Sequence, residues 1–408
     1  MSEVAYTPQL RFPEFSGEWE DGKLGNYGNL INGLTYSPDN IVDDGLLVLR
    51  SSNVQNGQIY LNDNVYVNLD VDDAALTKED DILICVRNGS KRLIGKSTII
   101  NKNLPKSTHG AFMTVFRGES NKFISHWFHS SIYYKEVHKN LGATINSING
   151  SNLKKFKTIF PLKPEQQKIA AFLTAVDNKI EQLSKKQALL GSWKKGLMQQ
   201  IFSQAIRFKA DDGSAFPVWE EKNIVELAKT SIGLVTSMTP YYVDKGVPLI
   251  RNNDIFQNKI RKEKLIRLDY EFDQLNKNRR LFTNDIVTVH TGNIGASAVI
   301  DEELNGCQGF ATLNTRIKNQ NEISSSFLCW YYNSTRNIKY ALSMATGDGR
   351  SNYNLKDFNK ATIPVPSLPE QTKIAAFLTA ADNKIEQVGK QFDESKQFKK
   401  ALLQQMFV

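Results

Sequence analysis

Polar and basic side chains fall in tight clusters along this chain, each on a short stretch punctuated by glycine or asparagine. Residues 86–97, VRNGSKRLIGKS, carry Arg87, Asn88, Ser90, Lys91, Arg92 and Lys96. Residues 289–297, VHTGNIGAS, carry His290, Thr291 and Asn293. Arg50, Ser51 and Asn53 follow one apolar run and Arg251, Asn252 and Asn253 another, while Arg350, Ser351, Asn352 and Tyr353 lie in a Gly-rich segment. These are the residue types that hydrogen-bond base edges or grip phosphate oxygens, so the chemistry they suggest is nucleic-acid recognition without bond making. For Arg50 and Arg251, which sit at equivalent places, a fold-maintaining role is equally open. The basic stretches RKEKLIR at 261–267 and KNRR at 277–280 suit either phosphate contact or a plain solvated face.

Bond-making chemistry finds little support. Cys85, Cys307 and Cys329 are odd in number and lack C-x-x-C spacing, which argues against a disulfide framework and a zinc site and suits a reducing cytoplasm. His109, His126, His129 and His138 have no Cys or acidic partner at ligand spacing, and His126 and His129 lie in SHWFHSSIYY, an aromatic stretch expected to pack a core helix. Asp211 and Asp212 ahead of Glu220, Glu221 and Lys222 read as solvated charge rather than a metal-dependent nuclease. No D/N-P-P-Y/F string is present to hold a flipped base for amino-methyl transfer, and no G-x-x-x-x-G-K-S/T to cradle a nucleotide. The expectation is a chain with no catalytic residue, metal or cofactor of its own. It has no apolar run long enough for a membrane span and no signal-like start, so a cytoplasmic location is expected.

The elements that must position these clusters come in two copies. Residues 164–203 return at 369–408 with 24 identical positions among the 40 aligned. PEQQKIAAFLTAVDNKIEQ is answered by PEQTKIAAFLTAADNKIEQ. Fainter echoes join the intervening bodies: Arg11-Phe12 before Trp19-Glu20 with Arg207-Phe208 before Trp219-Glu220, and GLLVLRSSNV with GVPLIRNNDI. A period this long indicates duplicated domains rather than a solenoid. The reading is a body at 1–163, a helix at 164–204, a second body at 205–368 and a second helix at 369–408.

In the first helix Ile169, Leu173, Val176, Ile180, Leu183, Leu190, Leu197 and Ile201 form a narrow heptad seam. In the second, Ile374, Leu378, Ala381, Ile385, Val388, Phe392, Leu402 and Met406 repeat it. Pro164 and Pro369 suit the first helical turn, and Glu165 and Glu370 suit the positive end of the helix dipole. Each copy should be one helix of about 38 residues, about 57 Å long. Connectivity favours antiparallel pairing of the two, with the bodies at opposite ends of a pseudo-two-fold rod; packing of each helix on its own body is the alternative. The bodies themselves read as mixed α+β, with short strands bounded by Gly and Asn. Two unlike heads on a stiff rod would suit duplex DNA, whose half-sites one turn apart lie about 34 to 36 Å from each other.

The net charge of +8 is uneven. Residues 1–160 carry 17 basic and 17 acidic side chains, whereas residues 161–204 carry 7 and 3 and residues 205–367 carry 21 and 18. Such a balance permits nucleic-acid binding without demanding it.

Over essentially its whole length the chain resembles the specificity (S) subunit of type I restriction-modification systems. The residues that carry the resemblance are the two PEQ-x-KIAAFL-x-x-x-DNKIEQ segments, LRFPEF-x-GEW at 10–19, and G-L-x-x-x-M-T-P at 233–240. The resemblance implies two target recognition domains, each reading half of a bipartite double-stranded DNA site, and a subunit that is not itself an enzyme. It implies as partners two methyltransferase (M) subunits and, through them, restriction (R) subunits, and implies S-adenosylmethionine, ATP and Mg for those partners. A self-sufficient restriction or modification enzyme and a two-headed DNA-binding scaffold or regulator are the competing readings.

Overall fold

The structure, a computed structural model, describes residues 7–141, 146–346 and 351–408. It forms two compact units, one running to Lys185 and completed by Gly389–Val408, the other comprising Lys186–Val388. Both 40-residue segments are helical, over Lys163–Phe202 and Leu368–Gln405. Each helix therefore contributes its beginning to one unit and its end to the other.

In the first unit an antiparallel sheet takes the order Gly28–Asn32, Met113–Gly118, Ile82–Cys85, Ser97–Ile99. The strand ILIC at 82–85 is buried along its whole length, and its alternation sorts side chains to two faces. Ile82 and Ile84 face a core with Phe123, Trp127, Phe128 and Tyr133 from the following helices. Leu83 and Cys85 face a second core with Leu47, Leu49 and Val54. That second core is covered by a smaller mixed sheet in which Leu46–Leu49 pairs in parallel with Ser107–His109.

The second unit repeats this plan. Ala228–Ile232, Thr312–Ile317, Ile286–Val289 and Ser297–Val299 form the antiparallel sheet, and Val247–Arg251 pairs in parallel with Gln308–Phe310. It adds a helix at Tyr270–Leu275. Asp81 with Arg117 and Asp285 with Arg316 are equivalent ion pairs that seal the start of each central strand.

Each body is fastened to the root of its own helix. Glu20–Lys23 pairs antiparallel with Lys157–Phe160, so the chain enters and leaves the first body side by side; Glu220–Asn223 and Thr362–Val365 do the same in the second. Glu165 is 2% exposed and receives a two-pronged guanidinium from Arg11, at 2.8 and 2.7 Å, plus the indole N–H of Trp19 at 3.4 Å. Glu370, fully buried, is held by Arg207 at 3.1 and 2.7 Å and by Trp219 at 3.0 Å. The next residue closes the turn, Gln166 donating to the Pro161 carbonyl and Gln371 to that of Pro366, both at 2.8 Å. The repeated Pro-Glu-Gln and the repeated Arg and Trp are thus one device.

The helices run antiparallel within each unit. In the first, Ile169 and Leu173 share a core with Leu402, Leu403, Met406 and Phe407, and further along Asp177 meets Lys399 at 2.5 Å. In the second, Ile374 and Leu378 share a core with Met198, Ile201 and Phe202, and Asp382 pairs with Lys194. Of the expected seam, Ile169, Leu173, Ile201, Ile374, Leu378, Ala381, Val388, Leu402 and Met406 are buried, while Val176, Ile180, Leu183, Leu190, Leu197, Ile385 and Phe392 are half-buried. Met198, Phe202, Leu403 and Phe407 are buried as well, because at its ends a helix packs on a body and on the other helix at once, which widens the apolar stripe.

Removing either partner of the Arg207–Glu370 pair should have unequal effects. Arg207→Met strands a buried carboxylate and should cost about 2 to 4 kcal/mol, whereas Glu370→Gln frees a guanidinium that can rehydrate and should cost about 1 to 2 kcal/mol. Denaturant unfolding of the two variants checks the order.

Candidate nucleic-acid interface

The polar clusters converge, three loops to a unit. In the first unit Arg50 leaves the strand Leu46–Leu49 and the turn Ser51–Asn53 follows, closed by the Asn53 Oδ1 accepting from Arg50 N at 2.9 Å. The loop after Ile82–Cys85 lies against it. Lys96 Nζ donates to the carbonyls of Ser51 (2.5 Å) and Val54 (2.9 Å), and the Asn88 amide donates to Ser51 Oγ at 2.8 Å. The third segment, 146–148, bridges to the same loop: Asn146 donates to Gly89 O at 2.9 Å, Ser147 stands opposite Arg87, and Ile148 N donates to Val86 O at 2.8 Å. Gly95, at φ +84°, turns the loop where a Cβ would come within 2.9 Å of Val137. Arg87, Ser90, Lys91 and Arg92 are left exposed on this platform.

The second unit builds the same platform with other side chains. Asn252 donates to Ala311 O and accepts from His290 N, both at 3.2 Å. Thr291 Oγ1 donates to Asn352 Oδ1 at 2.6 Å, Thr291 bridges Asn352, and Tyr353 N donates to His290 O at 2.9 Å. His290 is half-buried, which lowers its basicity. Asn253, Asn293, Ser351 and Asn352 are exposed.

Some of the expected contact residues serve the fold instead. Asn53 is fully buried and its amide donates to the carbonyls of Tyr60 and Asp63; Tyr353 is 1% exposed and its ring packs against Phe358 and Tyr340. Neither can reach a ligand, and both are corrected to structural roles. Lys96 points inward, and partial burial lowers its pKa. Arg50 is paired with Asp63 at 2.8 Å and Arg251 with Asp254 at 3.0 Å. Arg350 lies outside the described residues. The basic stretch at 261–267 is largely paired internally, Arg261 with Asp254 and Lys262 with Asp301 and Glu303, and Arg280 is paired with Asp273.

Two parts of the platform were not singled out from the sequence. Asn146 and Ser147 were recognisable, since Ala143-Thr144 ahead of them mirrors Ala345-Thr346 ahead of Asn352. Phe112 carries no local signal. It lies on the turn before Met113–Gly118, where its carbonyl accepts from Val86 N and Arg87 N, both at 3.1 Å.

His126 and His129 pack, as the aromatic stretch suggests, whereas His138 is exposed. His126 Nε2 lies 3.2 Å from Thr174 Oγ1, and Nδ1 lies 3.7 Å from the Asp177 carboxylate that Lys399 also holds. Burial, Lys399 and neighbouring His129 push its pKa down to about 3. Trp330 takes the equivalent place in the second unit, donating to Thr379 Oγ1 at 3.2 Å.

Residues 16–190 and 218–392 each match the family described as type I restriction modification DNA specificity domain. The chain belongs to that family and carries its domain twice. The type I restriction enzyme StySPI specificity subunit of Salmonella potsdam is 26% identical over 379 residues, covering 87% of this chain and 80% of that protein. The EcoKI specificity subunit of Escherichia coli K12 is 26% identical over 299 residues, covering 68% of this chain and 62% of that protein. In fold, the chain resembles the crystal structure of the type I restriction-modification S subunit from M. genitalium, with a TM-score of 0.61 over 98% of this chain and 99% of that one at 16% identity. No helix among the described residues is long and apolar enough to cross a membrane.

The depressed basicity of His126 sets a pH dependence. An unfolded chain takes up this proton near pH 6.5, the folded one only near pH 3. Stability is therefore full above about pH 6.5 and falls as the pH drops through that window, by up to about 1.4 kcal/mol per pH unit for one proton. Unfolding midpoints measured from pH 7 to 4 should fall, and His126→Gln should flatten the slope.

Proposed function

We propose that this chain is the DNA-recognition subunit of a type I restriction-modification complex, each unit reading one half of a bipartite duplex site. The observation that carries the reading is one platform built twice, with the same backbone link from the third segment to the second loop and different exposed side chains. A fixed scaffold under varied polar tips is what two unlike half-sites require. In this reading the chain has no catalysis of its own. M subunits bring S-adenosylmethionine and methylate adenine; R subunits, recruited through them, use ATP and Mg.

Docking of two copies of one partner is supported by a matched pair of exposed aromatic faces. In the first unit Phe172 packs edge-on to Phe12, with ring centroids 5.7 Å apart, and Phe398, 53% exposed, lines the same groove. In the second, Phe377 lies 5.6 Å from Phe208 and 6.1 Å from Trp193, itself 49% exposed. Each trio uses equivalent positions of the repeat.

Methylation mapping of the complex reconstituted with M subunits should return one two-part sequence, and this chain alone should methylate nothing. Arg92→Ala should weaken binding by about 1 to 3 kcal/mol and relax only the half-site read by the first unit. Relaxation of both halves would overturn independent reading. Phe172→Ala combined with Phe398→Ala should lower the M content from two copies to one per chain, measured by light scattering; unchanged stoichiometry would remove that face as a docking site.

A further inference from the structure

Phe112 is 56% exposed, although it lies among the polar loops of the first platform. Its backbone is not free to withdraw the ring. Both Val86 N and Arg87 N donate to its carbonyl at 3.1 Å, and Ala111 N donates to Leu34 O at 2.9 Å. The Arg87 guanidinium sits over the ring, 5.3 Å from its centroid, so an apolar face and a planar donor are presented side by side. The second unit lacks this residue. There Leu234 N donates to Gly309 O and Ala311 N to Leu234 O, as Leu34 N donates to His109 O and Ala111 N to Leu34 O in the first. After Ala311 the second chain passes directly into the strand Thr312–Ile317, whereas after Ala111 the first inserts Phe112 before Met113–Gly118. One added residue therefore places an aromatic ring where the twin platform has none.

Resting on the reading of this platform as a DNA-recognition surface, we infer that Phe112 is a specificity-determining residue that contacts the C5-methyl group of a thymine in the half-site read by the first unit. The major groove offers a rigid apolar ring one distinctive apolar partner, the thymine methyl, while the stacked Arg87 offers its donors to an adjacent base or phosphate. A ring held against water by its own backbone gains by covering that methyl group. A polar side chain at the same place would gain nothing from it.

The test uses the complex with M subunits and duplexes in which each thymine of the mapped site is replaced in turn by deoxyuridine, which lacks only the methyl group. At one position of the first half-site, wild type should lose about fourfold in affinity, the worth of one buried methyl group. Phe112→Ala should bind the normal site more weakly and no longer distinguish thymine from deoxyuridine there; Phe112→Leu should retain part of the distinction. Preference at the second half-site should be unchanged in both variants, which also reports that they fold. Tolerance of deoxyuridine throughout the first half-site, or discrimination undiminished in Phe112→Ala, would overturn the inference while leaving two-part recognition intact. Absence of any two-part preference in the wild-type complex would instead overturn the functional reading and this inference with it.

Discussion

A carboxylate buried in the first turn of each long helix, Glu165 and Glu370, is the interaction on which the rest of the molecule depends. A buried carboxylate is tolerable only with full compensation, and three sources supply it: the helix dipole, a two-pronged arginine and an indole N–H. The arginine and the tryptophan lie in the segment leading into the body, and the glutamate lies just after the body ends. One ion pair therefore fixes where the body begins, where it ends and the direction in which the helix departs. The short two-stranded sheets beside it, Glu20–Lys23 with Lys157–Phe160 and Glu220–Asn223 with Thr362–Val365, carry the same constraint in backbone hydrogen bonds.

With both ends of a body pinned at one place, its far loops can change without disturbing the helix. The two platforms illustrate how far. In each, side chains tie the first loop to the second, but Asn88 and Lys96 of the second loop reach back to Ser51 in one unit, whereas Asn252 of the first loop reaches to His290 and Ala311 in the other. The structural task is the same and the residues are exchanged. What remains exposed follows from that exchange: Arg87, Lys91 and Arg92 on one side, Asn253, Asn293 and Ser351 on the other. Divergence at the tips accompanies near-identity at the roots, where the same buried glutamate, arginine and tryptophan recur in both copies.

The helices were legible in the sequence because a heptad pattern is a local, repeated signal, and so was their antiparallel sense within each unit, which the connectivity favours. The widened seam at Met198, Phe202, Leu403 and Phe407 was not, since it depends on a body packing beside the second helix. Local polarity located the three loops of the second platform and two of the first. It could not tell outward residues from inward ones. Asn53 and Arg92 look alike as hydrogen-bonding side chains on Gly- and Asn-rich turns, yet Asn53 caps a turn from inside and Arg92 stands in solvent. That distinction is set by the strand Leu46–Leu49 and its distant partner Ser107–His109, not by neighbours in sequence. Phe112 escaped for the opposite reason: an aromatic residue before a buried strand looks like core.

Unlike platforms on like scaffolds also divide the electrostatic work. The exposed groups of the first platform are mostly cationic, so in the proposed reading contact there would displace counterions from the duplex and depend on salt. Among the described residues the second presents amides, hydroxyls and His290, whose basicity burial lowers; neutral groups gain little from charge and much from placement. Its loops are held by side chains of the same neutral kind: Thr291 holds Asn352, Asn252 holds the backbone of His290, and Tyr353 beside them is buried. A platform that attracts can tolerate long, exposed tips such as Lys91 and Arg92. A platform that relies on neutral hydrogen bonds cannot, because each misplaced amide forfeits its bond with nothing long-ranged to replace it.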